Sequence, residues 1–92
     1  VPSRRFVVTG RVPGVGFRAF VEGRAVALGL TGWVRNRTNG DVEVEAFGLE
    51  PALLRLWAAC AEGPRFAVVS AVRDLPPSGE APPDRFERRP TG

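Results

Sequence analysis

The sequence contains no histidine and no lysine, and all thirteen of its basic side chains are arginines. The first absence removes the commonest general base and the imidazole metal ligand. The second excludes Schiff-base chemistry and the phosphate-binding lysine of a Walker-type loop. One cysteine, Cys60, excludes an intramolecular disulfide and agrees with a reducing compartment. No apolar run approaches the roughly 20 residues that span a bilayer, and no signal-peptide pattern opens the chain. A cytoplasmic protein without membrane contact is the expectation. The carboxylates form no pair and no set of metal ligands, so neither a metal nor a cofactor is expected.

What is present describes one folded domain spanning residues 1–92, with 43% hydrophobic and 25% charged residues. The net charge of +3 comes from arginines interleaved with ten acidic residues. Scattered in this way they make no basic stripe, and a monomer with no nucleic-acid partner is expected.

Periodicity divides the chain into six main elements. Residues 5–12 have the β-branched character of a strand. From Phe17 the apolar residues fall at Phe17, Phe20, Val21, Ala25 and Leu28, a helical spacing closed by Gly29. Residues 31–37 and 41–47 read as strands around Asn39-Gly40, a dipeptide that favours a tight hairpin turn. Val42, Val44 and Ala46 alternate with Glu43 and Glu45, which predicts a sheet with one covered and one wet face. Pro51 opens a second helix, with Leu53, Leu54, Trp57, Ala58 and Ala61 as its apolar stripe, and Gly63-Pro64 ends it. Residues 66–75 read as a fourth strand. PPSGEAPP, residues 76–83, is a proline-rich loop, and residues 86–89 read as a short extra edge strand. Arg85, Arg88 and Arg89 there form a solvated edge that discourages aggregation.

The order β-α-β-β-α-β is that of an α+β, ferredoxin-like sandwich, an antiparallel sheet with two helices on one face. In the usual strand order the third strand separates the first two, whose C-terminal ends lie roughly 10 Å apart at one end of the sheet. Those ends carry Gly14 to Arg18 and Asn36.

The first of them is GRVPGVGFR, residues 10–18. A turn from strand into helix presents backbone N–H groups at the positive end of the helix, and glycines let the amides curl around an anion. An arginine at the rim adds a planar fork that matches two phosphate oxygens. The bland alternative is a glycine turn made only for tight packing. Gly14 to Ala19 also fits a loose dinucleotide fingerprint, but a hairpin follows where a parallel βαβ repeat is required. Asn36 is open to two readings: a residue near a turn, or an amide bordering the anion site on the same strand face as Val34. Trp33 is expected on the opposite face in a packing role, and Trp57 and Cys60 in the core.

Two stretches resemble the signatures of the acylphosphatases, small enzymes of this fold: TGRVPGVGFR at residues 9–18 and GWVRNRTNGDVEVEAFG at residues 32–48. The resemblance extends from about Arg5 to the C-terminal FERRPTG and is weakest over residues 61–85. It implies hydrolysis of small-molecule acyl phosphates without metal or cofactor. By position, it makes Arg18 the phosphate-binding arginine, assisted by loop amides of Gly14, Val15, Gly16 and Phe17. It makes Asn36 the side chain that positions the attacking water. Pro13 departs from the family pattern, which has glutamine there. Proline removes an N–H and fixes φ, so it either weakens the nest or stiffens its entrance.

The chemistry suits the residues present. An acyl phosphate expels a carboxylate of low pKa, so no general acid is needed, and the phosphoryl group needs charge stabilisation and an aligned nucleophile. Two other classes compete with this reading. One is a non-catalytic anion- or RNA-binding module, expected to show aromatic residues such as Phe6 or Trp33 on an open sheet face. The other is an acylphosphatase-like domain of a larger carbamoyl-transfer protein. The RRPTG terminus resembles the end of stand-alone family members and ranks that alternative lower, while Val1 in place of methionine leaves processing or truncation open.

Overall fold

A computed structural model of the chain describes residues 1–12 and 16–92. The elements run β1 (Ser3–Arg11), α1 (Phe17–Ala27), β2 (Thr31–Asn36), β3 (Val42–Phe47), α2 (Glu50–Glu62), β4 (Val68–Leu75) and β5 (Phe86–Arg89). They form one sheet in the order β4-β1-β3-β2-β5. β3 lies antiparallel between β1 and β2, as the topology predicts. Val42 is the common reference: its Cα pairs with Val8 on one side and with Asn36 on the other. Asn36 therefore ends its strand level with Val8, about 10 Å across the sheet, while β1 continues to Arg11.

The fifth strand makes the sheet mixed. β4 runs antiparallel to β1 at one edge, and β5 joins the opposite edge parallel to β2. The intervening residues, 76–85, must therefore cross the sheet from edge to edge, which a proline-rich segment can do because it needs no ladder hydrogen bonds of its own.

Both helices cover one face. Phe6, Val8, Val34, Val42, Val44 and Ala46 meet Phe17, Val21 and Ala25 of α1 and Leu53, Leu56 and Cys60 of α2 in a single buried cluster. Full burial of a side chain of this size contributes about 1.5–3 kcal/mol relative to exposure. The stripe of α2 is rotated from its predicted position: Leu56 is buried and Leu54 is 53% exposed. Four apolar residues within Leu53 to Trp57 fit more than one helical phase, and packing of α2 over β1 and β4 selects one. Cys60 packs as a small hydrophobe, and burial pushes its thiol up to about 12. Ellman's reagent at pH 8 is expected to leave the folded protein unlabelled and to react fully in guanidinium chloride; rapid labelling of the native state would contradict this packing.

The opposite face is not wet. Glu43 is fully buried and Glu45 is 1% exposed. Arg5 and Arg35 approach Glu43 at 2.6 and 2.8 Å, with Arg37 at 3.6 Å. Glu45 accepts hydrogen bonds from the backbone N–H and the hydroxyl of Ser78, which pins the crossing segment to the middle of the sheet. Arg5 donates to the Pro76 carbonyl at 3.1 Å and secures its start. Alternation correctly separates the two faces; a loop and three guanidiniums replace the expected solvent. Two of the three edge arginines are likewise engaged, Arg88 with Glu22 and Arg89 with Glu80 and Glu87, while Arg85 is exposed.

Candidate active site

Gly16 is the N-cap of α1, with φ at 127°. A Cβ there would touch nothing within 4 Å, so backbone conformation rather than crowding is what calls for glycine. Its carbonyl accepts the Phe20 N–H at 2.8 Å and closes the first helical turn. The leading N–H groups of a helix have no partner within it. Here the cap is glycine, with no side chain to accept them, and the first turn carries no carboxylate. Among the described residues no capping side chain or first-turn carboxylate offsets the positive end of α1, where an anion would be favoured. Pro13, Gly14 and Val15 lie outside the described residues, so of the expected phosphate loop the structure places Gly16, Phe17 and Arg18.

Phe17 divides its atoms between two tasks. Its ring is 3% exposed, in the core beside Phe20 at a centroid distance of 6.0 Å, while its amide belongs to the first turn. Arg18 follows, half-buried. Among the described residues its guanidinium makes one hydrogen bond, from Nη1 to the Arg89 carbonyl oxygen at 3.2 Å, and no ion pair. A guanidinium carries five N–H donors. A single neutral acceptor orients Arg18 without neutralising it and leaves donors for a bidentate anion contact.

Asn36 ends β2 on the face of Val34, beneath the helices. Its backbone is held on both sides. Its carbonyl accepts the Gly92 N–H at 3.1 Å, and its Cα partner is Val42. Its side-chain Oδ1 is buried and has no hydrogen-bond partner among the described residues. A buried acceptor left in this state costs about 1–3 kcal/mol, so the position demands a donor. The residues either side of Asn36, Arg35 and Arg37, both reach Glu43 on the other face. Sequence reasoning missed this clamp. The signal was there in Arg5, Arg35 and Arg37 sharing the phase of Glu43.

α1 packs across β2 and β5, and the carbonyl that Arg18 donates to belongs to Arg89, whose Cα partner is Arg35, so Arg18 lies at the end of the sheet where Asn36 closes β2. The aromatic residues that a nucleic-acid module would display are occupied elsewhere. Phe6 is fully buried under the helices, and Trp33 is 2% exposed beneath the guanidiniums of Arg35 and Arg89, 5.3 and 4.9 Å from its ring centre. Trp57 is half-buried against the core, with Arg4 over its ring at 5.5 Å.

A family model described as acylphosphatase matches residues 4–87. The chain belongs to the acylphosphatase family. Acylphosphatase 2 of Ralstonia nicotianae is 51% identical over 89 residues, which cover 95% of this chain and 94% of that one. The crystal structure of acylphosphatase from Bacillus subtilis superposes with a TM-score of 0.79 at 39% identity, covering 95% of this chain and 97% of the other. The same fold occurs in full-length HypF in its phosphate- and nucleotide-bound form, where 97% of this chain matches 12% of that one at 26% identity and a TM-score of 0.78. Acylphosphatase membership and the ferredoxin-like fold are thus what the two sequence motifs imply.

Proposed function

We propose that residues 1–92 form one catalytic domain in which Arg18 grips the phosphoryl group and Asn36 aligns the attacking water. The chain is an acylphosphatase by family and fold, and its reaction is hydrolysis of the carboxyl–phosphate bond of acyl phosphates. The amides from Gly14 to Phe17 complete the phosphate cradle. Its substrate is a small molecule, its working form a monomer in the cytoplasm, and nucleic acid is no partner. The burial of both Phe6 and Trp33 supports that last reading over an RNA-binding platform.

The observation that carries the assignment is the buried Oδ1 of Asn36, which has no partner among the described residues. A water that donates one O–H to this oxygen is satisfied and oriented in one stroke, with a lone pair left for phosphorus. As the water oxygen bonds to phosphorus, the bond from phosphorus to the acyl oxygen breaks and its electron pair leaves with the carboxylate. A phosphoryl oxygen of the substrate takes the water proton. The Arg18 fork and the helix amides stabilise charge on the equatorial oxygens during transfer. Nothing in this sequence of events needs a histidine, a lysine or a metal.

Hydrolysis of benzoyl phosphate in EDTA, followed for wild type and Asn36→Ala, tests the reading. Wild type should turn over. The variant should lose about 100-fold in kcat with KM little changed, because the amide acts on water and not on the bound phosphate. An inactive wild type, or a variant with unaltered kcat, would overturn it.

A further inference from the structure

A cleft of about 270 Å³ opens beside the helix N-terminus. It is bounded by Arg11 and Val12 at the end of β1, by Gly16 and Phe17, and by the α2–β4 turn with Arg65 and Phe66. We propose that this cleft is the acyl-group subsite, built for acyl phosphates whose acyl part has an aromatic or similarly apolar body and ends in a second anionic group. The proposal rests on the assignment of Arg18 and Asn36 given above.

Direction is the first argument. Phosphoryl transfer places the attacking and leaving oxygens in line through phosphorus. In the proposed assignment the water lies with Asn36 on β2, and the phosphoryl group lies against Gly16 and Phe17, where α1 begins. The acyl oxygen must then depart away from β2, towards β1 and β4. The strand order β4-β1-β3-β2-β5 puts the cleft on that side. Gly16 belongs to both, as the cap of α1 and as part of the cleft wall.

The lining is the second argument. The Phe17 ring and Val12 are buried and give a fixed apolar floor, whereas Phe66 is 90% exposed. Leaving a phenylalanine in water forgoes the stabilisation that burial gives its ring, and an acyl group in the cleft would cover it. A space of about 150 Å³ holds benzene, so the cleft admits a ring with substituents. Charge completes the match. Arg11 and Arg65 are exposed and have no ion-pair partner among the described residues. Arg65 sits 5.5 Å from the Phe66 ring centre, where it can meet an anion at the far end of a stacked acyl group.

The test compares acetyl, benzoyl and 4-carboxybenzoyl phosphate as substrates of wild type, Phe66→Ala and the double variant Arg11→Gln/Arg65→Gln. Ratios of kcat/KM between substrates cancel general losses. Wild type should rank 4-carboxybenzoyl above benzoyl above acetyl phosphate. Phe66→Ala should cut the benzoyl-to-acetyl ratio about tenfold. The arginine variant should abolish the gain from the added carboxylate. Competitive inhibition by inorganic phosphate, which reaches only the cradle, should stay the same in both. Ratios that do not move in either variant would overturn the subsite while leaving the roles of Arg18 and Asn36 intact. A failure of those roles would show instead as unaltered kcat in Asn36→Ala.

Discussion

Arg18→Ala should lower kcat/KM for benzoyl phosphate by about a thousandfold, with KM raised and kcat reduced together. The double effect follows from what a guanidinium does to a phosphoryl group. Its paired N–H groups hold two oxygens in the bound substrate, which lowers KM. They hold them more strongly as charge spreads over the equatorial oxygens during transfer, which raises kcat. The one hydrogen bond that the Arg18 side chain gives up among the described residues is that to the Arg89 carbonyl. Stability should accordingly fall by no more than about 1 kcal/mol, and urea unfolding of the variant serves as the control. Arg18→Lys should recover part of the binding and less of the rate, since an ammonium restores charge without the planar fork. Retained activity in Arg18→Ala, or a loss confined to kcat, would remove the arginine from its role.

That Arg18 and Asn36 come from one end of the sheet was legible because topology alone brings it about. Once residues 41–47 lie between the first two strands, their parallel neighbours must finish at one end. The glycines before Phe17 mark that end as a turn into a helix, and Gly16 with its φ of 127° shows that one of them is required there. Less legible was whatever depends on coverage. Alternation showed that Glu43 and Glu45 share a face, but what lies over that face depends on the path of residues 76–85. A proline-rich crossing has no periodicity to reveal its path. The same holds for Leu54 and Leu56, where a dense apolar run fits two helical phases and only the neighbouring strands decide. The cleft beside Phe66 was hidden for a related reason: its walls come from β1, α1 and the α2–β4 turn, and no local pattern joins them.

Replacing Glu43 should produce the largest stability effect on the sheet's second face. The carboxylate is fully buried while Arg5, Arg35 and Arg37 are 21–33% exposed around it. Burial by itself would push the Glu43 carboxyl up. Hydrogen bonds from Arg5 and Arg35, with the charge of both guanidiniums, outweigh it and hold the group below its ordinary value of 4.5. Glu43→Ala removes the shared acceptor and leaves three cations facing a cavity, at a cost of about 3 kcal/mol in urea unfolding at pH 7, the lower end for a broken buried pair because the guanidiniums keep some solvent. The lowered folded value also fixes the pH dependence. Stability from this group is fully present above 4.5, the value of the unfolded chain, and is lost as pH falls through the folded value. Wild type should therefore lose stability in acid faster than Glu43→Gln, which keeps the shape of the side chain and has no proton to gain. Parallel acid limbs in the two proteins would mean that the charge of Glu43 is not what its arginines hold. Because Arg35 and Arg37 flank Asn36, the substitution should also loosen the strand end to which the proposed function gives the water, lowering kcat while inorganic phosphate inhibits as before. A variant that matched wild type in kcat would confine the cluster to stability alone.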